Sequence, residues 1–387
     1  MPRWKAAIAH GGGPTAVLNA SLAGAIDACR EHADALYGAR FGVEGILAGD
    51  MPDLLAIAPA TVRAAAQAPG SVIGSSRRAL GGPDYDRLLN ALRARDIRVL
   101  FYTGGNGSMD TALSISRRAR DAHYELRVIG IPKTIDNDLL VTDHAPGYAS
   151  TAHFFACAAR DAGVDNRSLP SPICVLETLG RNTGWIVAAT ALARADHNDA
   201  PHIICFPERR LSLDRIATEV ERVYRRLGRV VVAVCEGQLD ETGKPFGADV
   251  DRPGSAVHQL ASNLGHTLAR LLAEKTGLRA RAEKPGLVGR SCGPFARELD
   301  RQEAYECGRA AVLAATAGET EVMVAIRRDA DSPYRSTTFL TPLETVARRE
   351  RSLPSSWIAE TGNDVTAEFL RYARPLVGEI PGYGPMW

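Results

Sequence analysis

The chain has 387 residues, 45% of them hydrophobic and 24% charged, with a formal net charge of +1. That length exceeds one ordinary core and suits two domains. The balanced charge gives no electrostatic reason for a nucleic-acid or membrane-surface partner. In chain order, Ala6 to Ala9 reads as a buried strand ending on His10-Gly-Gly-Gly13. Val99 to Thr103 is the next, followed by the glycine turn Gly104 to Ser108 and a helical stretch from Met109 to Arg120. Leu126 to Ile131 runs into Pro132-Lys-Thr-Ile-Asp-Asn-Asp138, Ile173 to Leu176 into Glu177 to Gly184, and Val230 to Cys235 into Glu236-Gly237. His202 to Phe206 and Val322 to Ile326 are two further runs. Leu213, Ile216, Val220, Val223 and Leu227 keep one helical face apolar.

The apolar runs are continuous rather than alternating, so both sheet faces are expected to be covered by helices. The expected fold is α/β, two doubly wound domains with largely parallel sheets. Turn formers cluster at Pro146-Gly147 and from Asn166 to Pro172, and a domain change is expected near one or the other. No internal repeat or low-complexity linker interrupts the pattern. No run approaches a membrane span, and Met1 to Lys5 leads into a strand rather than a secretory signal. The seven cysteines are odd in number and form no CxxC, which points to a reduced cytoplasmic setting without structural zinc. Cys292, beside Arg290, is expected to be buried and inert, and His10, His144 and His153 lack metal-ligand spacing and suit hydrogen-bonding roles.

In doubly wound sheets, ligands bind beyond the carboxyl ends of strands. Five polar or glycine-rich endings fall there. A glycine turn between strand and helix lets backbone N–H groups close on an anion. Asp136-Asn137-Asp138 alone would be a turn whose side chains bond their own backbone. Preceded by Lys133 and Thr134 it supplies a cation, a hydroxyl and two carboxylates, the equipment of phosphoryl transfer.

Taken together, Gly12-Gly-Pro-Thr-Ala-Val-Leu-Asn19, Gly104-Gly-Asn-Gly-Ser108, Pro132 to Asp138, Glu177-Thr-Leu-Gly-Arg-Asn-Thr-Gly-Trp185 and Cys235-Glu-Gly237 resemble the phosphofructokinase family, in its ATP- and pyrophosphate-dependent branches. The motifs follow the family's order from residue 12 to about 290. The resemblance implies phosphorylation of the 1-hydroxyl of fructose 6-phosphate, with Asp136 as general base and Thr134 and Lys133 beside the moving group. It implies donor binding by Gly12, Arg77, Gly104, Gly105, Gly107 and Ser108, and magnesium at Asn106 and Asp138. Gly180, Arg181 and Glu236 match acceptor contacts, and Arg281 and Arg290 the arginines that hold the 6-phosphate. It further implies a donor domain of residues 1–147 plus about 290–345, a sugar-phosphate domain of 148–289 plus about 346–387, and a homodimer or homotetramer.

Two positions bear on the donor. Pyrophosphate users of the family typically carry Asp where Gly107 stands, and its carboxylate repels the ATP α-phosphate. Two unit charges about 4 Å apart at an effective dielectric near 20 interact by roughly 4 kcal/mol. Gly107 removes that veto, whereas Lys133, typical of pyrophosphate users, does not exclude ATP. ATP is therefore the expected donor, with diphosphate as the alternative. Asn106 replaces the commoner Asp, Pro172 an arginine that reaches a neighbouring subunit, Leu287 and Gly289 a His and a Gln, and Leu179 a Met. These departures keep a related sugar phosphate open as acceptor, and a regulatory, non-catalytic subunit as a further alternative. A nicotinamide-dependent dehydrogenase is excluded because Gly11-Gly-Gly-Pro14 lacks GxGxxG.

Overall fold

A computed structural model describes residues 3–169, 172–244, 246 and 263–383. Met1 and Pro2, and Pro170 and Ser171 of the Asn166 to Pro172 turn cluster, lie outside the described residues, while Asn166 to Ser168 of that cluster instead end helix Tyr148–Ser168, so the domain change falls near Pro146-Gly147. Ten strands form among those described: β1 Trp4–His10, β2 Ala33–Gly38, β3 Ile97–Gly104, β4 Arg127–Pro132, β5 Ile173–Thr178, β6 Ile203–Cys205, β7 Val230–Cys235, β8 Ala280–Glu283, β9 Val322–Asp331 and β10 Tyr334–Pro342. They divide between two units, one of Met1–Tyr148 with Ser291–Arg351, the other of Ala149–Arg290 with Ser352–Trp387.

The first unit carries a six-stranded sheet in the order β10-β9-β4-β3-β1-β2. Every neighbouring pair is parallel except the β9–β10 hairpin. Strand alternation turns each apolar run into two cores. Ala6, Ile8, Val99, Phe101 and Ile129 face one layer of helices, and Ala7, Ala9, Leu100, Tyr102 and Val128 the other. On the first face, helices Leu18–His32 and Glu298–Thr316 cross closely: a methyl group on Gly308 would run into the Ser21 carbonyl. On the second, helix Asn106–Asp121 buries Met109, Ala112, Leu113 and Ser116, a stripe of helical period.

The second unit holds a four-stranded parallel sheet, β6-β7-β5-β8. Ile173, Val175, Val230, Val232 and Val234 pack against Ile216, Val220 and Val223 of helix Leu213–Leu227 and Leu264, Leu268 and Leu272 of helix Leu264–Thr276. Ser212 caps the first of these helices by accepting from Arg215 N, and Gly228, at φ +68°, ends it. The α/β architecture with largely parallel sheets between helices is the one expected from the sequence.

Three strands escape the apolar-run reading: β2 is rich in Ala and Gly, β8 reads as a charged stretch, and β10 is largely exposed. Val322 to Ile326 also runs on to Asp331, pairing antiparallel with β10. No helix among the described residues is long and apolar enough to cross a membrane. All seven cysteines are free thiols, and six are buried; Cys292, expected to be buried, is instead partly exposed. Burial pushes the Cys205 thiol up to about 12, which keeps it protonated and inert.

Candidate active site

In the first unit the chain steps from β1 outward to β2, then returns to place β3 on the other side of β1. The loops after β1 and β3 therefore flank a topological switch point, where such sheets bind ligands. The β1 loop is stitched down by Gly11 N donating to Thr103 O (2.8 Å), Gly12 N to Ser76 O (2.8 Å) and Ser75 Oγ to Gly12 O (2.7 Å). Lys133, only 3% exposed, donates from Nζ to Gly11 O (2.8 Å) and Gly13 O (2.6 Å), and from its backbone N to Gly104 O (3.1 Å). Lys133, just after β4, thus ties the end of β1 through its ammonium and the end of β3 through its backbone N–H. The nearby His10 bonds Ser71 Oγ through Nδ1 (2.8 Å), and burial with the Lys133 charge depresses it to about 3, so it stays neutral.

Arg77 follows Ser76 on the segment that braces the β1 loop, and it is exposed. Its neighbour Arg78 is engaged by Glu44 (3.0 Å) and Asp84 (2.9 Å), whereas Arg77 makes no ion pair among the described residues. After β3, a methyl group on Gly104 would run into Ser108 Oγ and lie 3.0 Å from Gly11 O, so only glycine fits this approach. Gly105 then opens helix Asn106–Asp121. The first N–H groups of a helix have no intrahelical acceptor and form a positive end suited to an anion. Gly107 lies in that first turn, exposed, with nothing within 4 Å of where its Cβ would be.

After β4, Thr134 Oγ1 accepts from Asp136 N (3.1 Å), and Asn137 takes φ +54° while its Oδ1 accepts from Ala145 N (3.1 Å). Asn106 Nδ2 donates to Asp138 Oδ2 (2.8 Å), which brings these two predicted residues together. Burial pushes the Asp138 carboxyl up, opposed by hydrogen bonds from Thr134 and Asn106 and assisted by the Glu350 charge. Asn106 Oδ1 and Asp138 Oδ1 are buried and have no hydrogen-bond donor. Two such oxygens suit a hard cation such as magnesium. The described residues contain no group of three His, Cys, Asp or Glu placed to hold a metal. Magnesium at this pair would complete its shell from water and phosphate oxygens.

In the second unit, β5 ends in a tight turn with Gly180 at φ +133° and Arg181 at φ +50°, closed by Thr183 N donating to Gly180 O (3.0 Å). Glu236 N donates to Thr178 O (2.9 Å), and Gly237 lies flat on the Arg181 carbonyl, where a side chain would collide. Gly180, Arg181 and Glu236 thus meet at the ends of the adjacent strands β5 and β7. Burial and the Glu177 charge push the Glu236 carboxyl up, against the Arg181 backbone hydrogen bond and the charges of Arg181 and Lys284. Arg281, on β8, is ion-paired with Asp165 and lies 3.9 Å from Glu283. Arg290 ends the 3-10 turn Gly286–Arg290, in which Leu287 and Val288 are exposed. Gly289 sits where a Cβ would lie 2.7 Å from the Phe155 ring.

Sequence reasoning missed Arg351. It donates from Nε and Nη2 to Asn137 O (3.1 and 2.9 Å) and from Nη1 to Thr142 O (2.6 Å) and Asp143 O (2.8 Å). The buried His144 is bonded to Asp143 (2.8 Å) and Glu303 (2.6 Å). Hydrogen bonding was the role expected of this histidine, but neither acidic partner was foreseen.

Among known proteins, the family model described as Phosphofructokinase matches residues 5–315. The chain is 38% identical over 388 residues to the pyrophosphate–fructose 6-phosphate 1-phosphotransferase of Rhodospirillum rubrum, covering 98% of this chain and 95% of that one. It is 36% identical over 390 residues to the protein of the same name from Halomonas elongata, covering 97% and 92%. The crystal structure of pyrophosphate-dependent phosphofructokinase from Marinobacter aquaeolei matches with a TM-score of 0.88 at 32% identity, covering 98% of this chain and 94% of that one. These relatives overturn the expectation that ATP is favoured over diphosphate. Gly107 misled because a missing carboxylate removes a repulsion yet supplies no contact to a nucleoside.

Proposed function

The chain belongs to the phosphofructokinase family, and from that premise we propose that it reversibly transfers a phosphoryl group from pyrophosphate to the 1-hydroxyl of fructose 6-phosphate. The observation that carries the donor choice is Lys133, a buried ammonium fastened to the β1 loop. Without a base or ribose to grip, diphosphate is held by charge and backbone donors alone. Gly105 and Gly107 at the helix start supply N–H donors and Ser108 a hydroxyl, while Gly12 and Gly104 leave the donor site clear of side chains; Arg77 adds an exposed guanidinium, and Lys133 a fixed positive charge behind the loop.

Asp136 takes the proton from the acceptor hydroxyl, and Thr134 holds the turn that aims it, through the bond to Asp136 N. Asn106 and Asp138 would hold magnesium, which when bound would neutralise charge on the phosphate oxygens. In this reading the first unit is the donor domain and the second the sugar-phosphate domain. Gly180, Arg181 and Glu236 position the sugar, and Arg290 the 6-phosphate. Arg281 joins Arg290 only by exchanging Asp165 and Glu283 for phosphate.

A related sugar phosphate is the second reading for the acceptor, favoured by the exposed Leu287 and Val288 ahead of Arg290. The test is pyrophosphate-dependent phosphorylation of fructose 6-phosphate by the purified chain with magnesium, with Asp136→Asn as control. A positioned base is worth about 10²- to 10⁴-fold in rate, so the variant should lose that much turnover while still binding sugar phosphate. An Asp136→Asn protein of undiminished rate refutes the assignment.

A further inference from the structure

From Ile135 to Pro146 the chain has no regular secondary structure, and its ends are tied by a single bridge between Thr134 and Gly147. Within it, Asn137 and Val141 take φ +54° and +72°, conformations that L side chains resist, the β-branched Val141 most. Such a segment keeps one shape only where its surroundings over-determine it.

Arg351 supplies that constraint. Its guanidinium takes the carbonyls of Asn137, Thr142 and Asp143, and its own backbone N donates to Asp138 O (2.8 Å). Four carbonyls of one loop converge on one residue more than 200 positions away. Peptide groups are rigid planes, so holding the carbonyls of Asn137 and Asp138 also sets the directions of the flanking Cα–Cβ bonds. The Asp138 carboxylate is thereby delivered to Asn106, and Asp136 is held one residue before the clamp. Only the planar five-donor fork of arginine satisfies several carbonyls at once; an ammonium lacks both the spread and the plane.

We infer that Arg351 is a positioning residue for phosphoryl transfer, holding Asp136 and Asp138 in working geometry through the backbone of their turn. The inference rests on the reading of Asp136 as general base. A displacement near 1 Å costs about a hundredfold in rate. Arg351→Met in the full chain is therefore expected to lower kcat by about that factor, with KM for both substrates within about threefold. Arg351→Lys should fall between Arg351→Met and the parent. Millimolar guanidinium added to Arg351→Met should restore part of the lost kcat, which a merely structural role would not predict. Where Arg351→Met does not fold, Arg351→Lys decides by the same split between kcat and KM. Rates per folded molecule equal to the parent in the soluble variant overturn the inference. Asp136→Asn run alongside separates the failures: full activity there removes the base, whereas an inactive Asp136→Asn beside a fully active Arg351 variant removes only the clamp.

Discussion

Lys133→Met keeps the length of a buried side chain and removes its donors. In the parent, Nζ donates at 2.8 Å to Gly11 O and at 2.6 Å to Gly13 O, at a position 3% exposed. Each charged hydrogen bond is worth about 1.5–3 kcal/mol. Relief of the desolvation cost of a buried ammonium offsets part of that sum. A net loss of about 2–4 kcal/mol remains, or roughly 4–16 °C in Tm for a unit of about 200 residues. The β1 loop should loosen with it, so kcat/KM for pyrophosphate falls more than the fructose 6-phosphate KM rises. Scanning calorimetry reads the stability, and initial rates with each substrate varied at a saturating level of the other read the kinetic split. A Tm within about 1 °C of the parent would show that these hydrogen bonds contribute no net stability.

His144 provides a pH test. Burial alone would lower it, but Glu303 and Asp143 together raise it to about 9. A folded-state value above the ordinary 6.5 means that its stabilisation is complete below pH 6.5 and lost as pH climbs through about 9. The parent should lose stability over that window, on the order of 3 kcal/mol, and denaturant titrations of His144→Gln should show a flatter alkaline limb. A Cβ on Gly107 has no atom within 4 Å and the position is exposed, so Gly107→Asp should fold normally. Residual ATP turnover should drop by about a hundredfold or more while pyrophosphate turnover holds within about threefold, and equal losses with both donors would contradict the repulsion argument. Gly308→Ala would drive a methyl into the Ser21 carbonyl and should destabilise by about 1–3 kcal/mol, seen as a lower urea midpoint.

Much of the fold was legible because its central strands are buried on both faces. Val230 to Cys235 is apolar throughout and is β7 in full. The strands that escaped lie at sheet edges, where solvent permits other residues: Arg279 to Lys284 reads as a basic stretch, yet Ala280–Glu283 pairs with β5. The glycine loops and the Asp136 to Asp138 turn were visible because their residue types carry their chemistry. Arg351 was not, because its partners are main-chain carbonyls, which every residue possesses, brought near only by the fold. The donor was misjudged for a related reason: Gly107 shows what is absent, while the role of Lys133 depends on the carbonyls it reaches.

The central claim is pyrophosphate as donor, and the most direct measurement puts both donors in one vessel. With fructose 6-phosphate and magnesium, pyrophosphate and ATP at equal concentration compete, and phosphorus NMR follows diphosphate loss and ADP gain together. The ratio of the two rates is the ratio of kcat/KM values. Diphosphate disappearing at least about tenfold faster than ADP forms is the predicted result. ADP accumulating while diphosphate persists would contradict the account.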